Sequence, residues 1–102
     1  MLPSHVKLVE VGPRDGLQDE TQFVPTDIKM QWIEQLAAAG INAIEVTSFV
    51  SPKKIPMLAD HAELFKQLPQ KEPIDYSALI PNQQGMENAL ACGVRSIAVF
   101  TA

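Results

Sequence analysis

Four short β-rich runs, separated by three stretches of helical periodicity, constrain this chain more than any other feature. The runs are VKLVEV (6–11), AIEVTSF (43–49), YSALIP (76–81) and SIAVFTA (96–102). Between the first two lies TDIKMQWIEQLAAAG (26–40), where Ile28, Trp32, Ile33, Leu36 and Ala37 recur at helical spacing. Thr26 is placed to cap its start and Gly40 to follow its end. MLADHAELFKQL (57–68) carries Leu58, Ala62, Phe65 and Leu68 on one side, and QQGMENALACG (83–93) is opened by Asn82 and closed by Gly93. The β-α-β-α-β-α-β order predicts parallel strands joined by right-handed crossovers. Two architectures satisfy it: an open doubly wound sheet, or the first half of a (β/α)8 barrel, whose full form takes about 250 residues. The sequence runs out of the fourth strand at AVFTA with no helix behind it, as either would.

Composition removes several function classes. The 102 residues are 46% hydrophobic and 20% charged, with no linker or low-complexity segment, so a single domain over 1–102 is expected. A net charge of -4 gives no support for nucleic-acid binding, which favours a basic surface. No apolar run approaches the roughly 18 residues of a membrane span. Cys92 is the only cysteine, so an internal disulfide is excluded. MLPSHVKLVEV lacks the basic start and long apolar core of a secretion signal. The expectation is a soluble, cytoplasmic chain.

In both architectures ligands bind at the carboxyl ends of the strands. Arg14, Asp15 and Gln18 follow the first run; Glu45 and Thr47 lie in the second, followed by Ser48, Ser51, Lys53 and Lys54; Asn82 follows the third and Thr101 the fourth. Glu45 stands out, because it sits between Ile44 and Val46 in a strand expected to be buried on both faces. A buried carboxylate is costly unless paired or hydrogen-bonded. Glu10 is placed equivalently in the first run, and Arg14 is the nearest cation in sequence to serve these carboxylates. Such a pairing is equally the signature of a structural ion pair and of a catalytic arginine held in place. GPRDG is also good turn chemistry in its own right. One aspartate is not a metal site, since Mg²⁺ takes six ligands. His5, ahead of the first run, and His61, within a helix, read as surface or packing residues, and Cys92 as packing. No glycine-rich phosphate loop is present.

GPRDGLQ, then EVTSFVSPK about thirty residues on, then ALIPNQQG together resemble the N-terminal third of the 3-hydroxy-3-methylglutaryl-CoA lyase family. The resemblance covers nearly the whole chain and implies the N-terminal part of a (β/α)8 TIM barrel, about four strands and three helices, in the metal-dependent Asp-Arg-Glu lyase superfamily. It implies cleavage of 3-hydroxy-3-methylglutaryl-CoA to acetyl-CoA and acetoacetate with Mg²⁺ or Mn²⁺. Asp15 would be a metal ligand near the substrate's C3 hydroxyl, Arg14 would stabilise the enolate oxygen, and Glu45 would position Arg14. Arg14 and Gln18 would contact the acyl-CoA, and the intact family member would be a homo-oligomer.

The family's two metal-binding histidines spaced H-x-H, its asparagine beyond them and its late cysteine have no counterpart among His5, His61 and Cys92. The resemblance therefore implies a fragment that is inactive alone. Two alternatives stay open. One is a Claisen-type acyl-CoA synthase of the same superfamily, whose first loop more often reads RDGEQ where this chain has Leu17. The other is a non-catalytic half-barrel that associates through its open edges.

Overall fold

A computed structural model describes residues 2–69 and 73–101. Three strands, β1 (Ala43–Ser48), β2 (Asp75–Leu79) and β3 (Ser96–Ala98), form a parallel sheet in the order β1-β2-β3. Helix α2 (His61–Gln67) crosses from β1 to β2, and α3 (Gln83–Ala91) from β2 to β3. Helix α1 (Thr26–Ala38) precedes β1. This is the βα alternation expected from the sequence.

The core lies between the helices and one face of the sheet. Met30 and Ile33 of α1, Ile44 and Val46 of β1, Leu64 and Phe65 of α2, and Ala78 of β2 are buried together. All six residues of β1 are buried, which is why its sequence lacks a clean polar alternation. Between Glu45 and Thr47 the register with β2 slips: Glu45 faces Ser77 and Thr47 faces Ala78, leaving Val46 as an extra residue. Such bulges bend a strand and re-aim its side chains. Thr47 is fully buried, and its hydroxyl has no hydrogen-bond partner among the described residues.

Gly85 shows how closely α3 is seated. A Cβ there would lie 2.5 Å from the carbonyl oxygen of Phe49, just past the end of β1. Asn82 caps this helix as expected, its side chain accepting a hydrogen bond from the Gly85 N–H at 2.8 Å.

Four local expectations need correction. The run 6–11 is not a strand: only Glu10 pairs, in one parallel bridge to Ile44, through Glu10 N–H to Ala43 O and Glu45 N–H to Glu10 O. Val6 and Leu8 are 75% and 73% exposed, so no apolar burial on the outer side holds this run straight. The fourth strand stops at Ala98, with Val99 and Phe100 exposed for the same reason; its expected last residue, Ala102, is outside the described residues. The helix expected over 57–68 begins at His61, after a single tight turn at Pro56–Leu58. Thr26 does not cap α1, because its hydroxyl donates to Asp60 instead, at 2.6 Å.

Candidate functional site

The segment GPRDG folds as one wide helical turn, a π-helix over Gly12–Gly16, rather than as a tight reverse turn. Pro13 occupies its first turn, where a missing N–H costs nothing. The N–H groups of Arg14 and Asp15 both donate to Val11 O, at 3.1 and 2.7 Å. Gly12 is required by packing: a Cβ there would come within 2.9 Å of the Trp32 ring. The turn sends neighbouring side chains in different directions. Arg14 turns inward, 18% exposed, while Asp15 turns outward, 63% exposed. Single π turns of this kind recur at functional sites.

Arg14 meets Glu45 as the sequence suggested. Its Nε donates to Glu45 Oε2 at 2.6 Å, and the glutamate side chain is only 8% exposed. Arg14 Nη1 reaches Asp15 Oδ1 and Gln18 Oε1, both at 3.3 Å. Nη2 makes no hydrogen bond among the described residues. Glu10 does not share the arginine: its Oε2 accepts from the Gly12 N–H at 3.0 Å, which braces the start of the turn.

Arg14 and Gln18 border a cleft of about 330 Å³ at the carboxyl ends of the strands. Arg14 and Gln18 form one wall; Ser48, Val50 and Ile55, at the end of β1 and in the loop after it, form another. Leu79, Pro81 and Phe100 complete it. Ser48 is turned toward the sheet, its hydroxyl donating to Leu79 O at 3.0 Å. A fixed guanidinium with one nitrogen unengaged, beside a mostly apolar cleft, suits an anionic oxygen on an otherwise apolar ligand.

Asp15 offers one hard oxygen donor, within 3.3 Å of Arg14 Nη1. Among the described residues no three His, Cys, Asp or Glu side chains gather into a set able to hold a metal ion. Asp15 is thus a single hard donor and not part of a preformed ligand set among these residues.

Other residues singled out from the sequence lie away from this chemistry. His61 is buried, with Nδ1 2.9 Å from Leu58 O and its ring 4.6 Å from that of Phe49. His5 is exposed and contacts Ser4. Cys92 packs at the edge of the core. Ser51 organises the loop after β1, its carbonyl accepting from the N–H groups of Lys54 and Ile55. Lys53, Lys54 and Thr101 are exposed.

Lys29 was not foreseen from the sequence. It lies on the buried face of α1, 2% exposed, and Ile28, assigned to that face, is 46% exposed. Lys29 Nζ donates to Asp60 Oδ1 and to Met57 O, each at 2.7 Å. The available signal was the aspartate Asp60 ahead of α2, which is too far along the chain to be paired by local pattern.

Comparison with known proteins places this geometry in context. The HMGL-like family pattern matches residues 5–102. The rat cytoplasmic 3-hydroxy-3-methylglutaryl-CoA lyase is 54% identical over 99% of this chain and 29% of its own length. The mouse mitochondrial hydroxymethylglutaryl-CoA lyase is 50% identical, with 99% and 31% covered. The crystal structure of hydroxymethylglutaryl-CoA lyase from Pseudomonas aeruginosa superposes with a TM-score of 0.89 at 50% identity, over 96% of this chain and 33% of that one. An HMG-CoA lyase from Acinetobacter baumannii, in complex with coenzyme A and 3-methylmalate, superposes with a TM-score of 0.84 at 44% identity, over 89% and 30%. The chain thus spans about a third of the length of the relatives it matches, and its three parallel strands and helices correspond to the N-terminal part of their TIM barrel.

Proposed function

We propose a function from one premise: the chain belongs to the HMGL-like family. The proposed activity is carbon–carbon bond cleavage, converting 3-hydroxy-3-methylglutaryl-CoA to acetyl-CoA and acetoacetate, in a protein whose barrel includes residues 1–102. The observation that carries it is Arg14, held by Glu45 at the rim of the strand ends and lining the cleft there.

In the cleavage the C3 hydroxyl loses its proton and becomes the carbonyl of acetoacetate. The electrons of the breaking bond pass to the thioester side, and negative charge gathers on the enolate oxygen of the departing acetyl-CoA, whose terminal carbon then takes up a proton to complete its methyl group. Arg14 donates to that oxygen, so its attraction strengthens as the charge develops. Glu45 takes no part in bond making; it fixes the guanidinium before the substrate arrives, which removes the cost of orienting it later. Gln18 holds Nη1 from the other side and, with Arg14, contacts the acyl group. Asp15 is proposed as one ligand of a divalent cation, Mg²⁺ or Mn²⁺, which supplies polarisation of the substrate's oxygens when bound.

Acyl-CoA as the substrate class, assembly into a homo-oligomer and a reducing cytoplasmic compartment belong to the same reading. The first is supported by the coenzyme A complex of a structural relative, and the last by a lone, unpaired cysteine. A second reading draws on the exposed edges. Val6 and Leu8 on one side and Ile97, Val99 and Phe100 on the other would suit a half-barrel that associates without catalysis.

The test is acetoacetate formation from 3-hydroxy-3-methylglutaryl-CoA with Mn²⁺. The expected result is turnover by a protein of the relatives' full length carrying this segment, reduced about 100-fold or more by Arg14→Gln, and none by the 102 residues alone. Condensation of acetyl-CoA with a 2-oxo acid, without cleavage, would overturn the reading in favour of a synthase. A discrete dimer of the 102-residue chain by light scattering, with no cleavage at full length, would favour the interaction module.

A further inference from the structure

We propose that the buried Lys29–Asp60 pair is a positioning device that fixes the gap between the Gln18 and Ile55 walls of the cleft. The proposal rests on the reading of that cleft as an acyl-CoA site and names what sets its width.

The ammonium of Lys29 is surrounded. It donates to Asp60 Oδ1 and to Met57 O, each at 2.7 Å, and lies 4.7 Å from the centre of the Phe23 ring. The second oxygen of Asp60 accepts from Thr26 Oγ1 at 2.6 Å. The side chains of Lys29 and Asp60 are 2% and 7% exposed. The network therefore joins two stretches of chain. Residues 23–29 begin five positions beyond Gln18, which itself follows the turn that carries Arg14. Residues 57–60 follow Ile55, whose own N–H is tied to Ser51 O and whose carbonyl accepts from the Leu58 N–H. Met57, whose carbonyl Lys29 grips, is two residues beyond the cleft wall at Ile55.

The pair differs from a plain stabilising contact in two respects. First, Asp60 stands at the N-cap of α2, where its carboxylate would ordinarily bind the free N–H groups of the first turn. It makes no such bond and is committed to Lys29 and Thr26 instead. Secondly, the desolvation of a buried ion pair largely cancels its attraction, so apolar packing would serve stability equally well. What an ion pair adds over packing is direction. Three hydrogen bonds at one ammonium and its partner fix how the two segments sit against each other to within hydrogen-bond tolerance.

The test is the triple variant Thr26→Val, Lys29→Met, Asp60→Leu, which replaces the whole network by apolar side chains and leaves no buried charge unpaired. It is compared with the unaltered 102-residue chain by thermal unfolding, by hydrogen exchange and by titration with coenzyme A followed by NMR. The expected outcome is an unchanged melting temperature, with about tenfold faster exchange at the Ile55 and Leu58 amides, unchanged exchange at Ala78, and about tenfold weaker coenzyme A binding. Unchanged exchange at Ile55 and Leu58 would overturn the proposal, as would a triple variant that fails to fold, since the pair would then be a stabiliser. If the unaltered chain shows no coenzyme A response, the acyl-CoA reading of the cleft fails for this chain, and the exchange data still decide the positioning role.

Discussion

Arg14 and Glu45 stand 31 positions apart in sequence and meet at 2.6 Å, Nε to Oε2, joining the first turn of the chain to the centre of its most buried strand. Removing one partner leaves a largely desolvated charge behind. Glu45→Ala is expected to destabilise the chain by about 3 kcal/mol, the typical cost of orphaning one member of a buried pair. Glu45→Gln keeps an acceptor for Nε and is expected to cost about 1 kcal/mol. Urea unfolding of the two variants side by side checks the order; equal losses would mean that the charge of Glu45 is irrelevant to holding the turn.

The seat of α3 on β1 gives a second prediction. A methyl group on residue 85 would overlap the Phe49 carbonyl, and both partners are backbone-bound with no rotamer to escape into. Gly85→Ala is therefore expected to destabilise by about 1–3 kcal/mol despite alanine's better helix propensity. Thermal unfolding measures it, and a gain in stability would show that the helix can slide away from the strand.

At the start of the same helix, Asn82→Ala removes the acceptor for the Gly85 N–H. The expected loss is about 1 kcal/mol, or roughly 4–8 °C in melting temperature for a domain of this size. Asn82→Asp, which retains the acceptor and adds favourable charge at the helix start, is expected to recover it.

A pH-dependent contribution comes from Lys7 and Asp75, paired at 2.9 Å. Hydrogen bonding from the Lys7 ammonium holds the Asp75 carboxyl below its usual value of 3.8, against the opposing effect of burial. A carboxyl depressed in the folded state stabilises the fold above its unfolded-state pKa. That contribution is lost as pH falls through the folded-state value. Asp75→Asn is thus expected to reduce stability at neutral pH and to flatten the fall in stability below about pH 4. Stability followed by circular dichroism across this range checks it; identical acid limbs would show that the pair contributes nothing.

Much of this arrangement was legible in the residues, and the boundary of what was legible has a physical basis. Asn82 and Gly93 marked α3 because capping and left-handed termination are local chemistry; Gly93 does adopt a φ of 78°. Glu45 announced its partner because a carboxylate inside an apolar strand demands one. The segment 6–11 misled for the opposite reason: Val6, Leu8 and Val9 have strand propensity, but propensity becomes a strand only with neighbours to pair and pack against, and here a single bridge forms. Lys29 was invisible because a lysine on a helix ordinarily faces water, and its burial depends on Asp60 arriving from the far side of β1. The bulge at Val46 leaves no mark on the sequence, since it is a property of the pairing between two strands.

The π turn at Gly12–Gly16 has a consequence for how this site tolerates insertion and deletion. An α-helical backbone advances about 100° per residue and the wider π turn somewhat less, so the turn acts as an angular spacer between Val11 and Gln18. Substitutions within it change what the spacer displays. Loss of one residue changes its phase, swinging Gln18 and everything after it by roughly a quarter of a revolution away from Arg14. A one-residue deletion at the exposed, unencumbered Gly16 would therefore disturb the cleft more than any single side chain placed there.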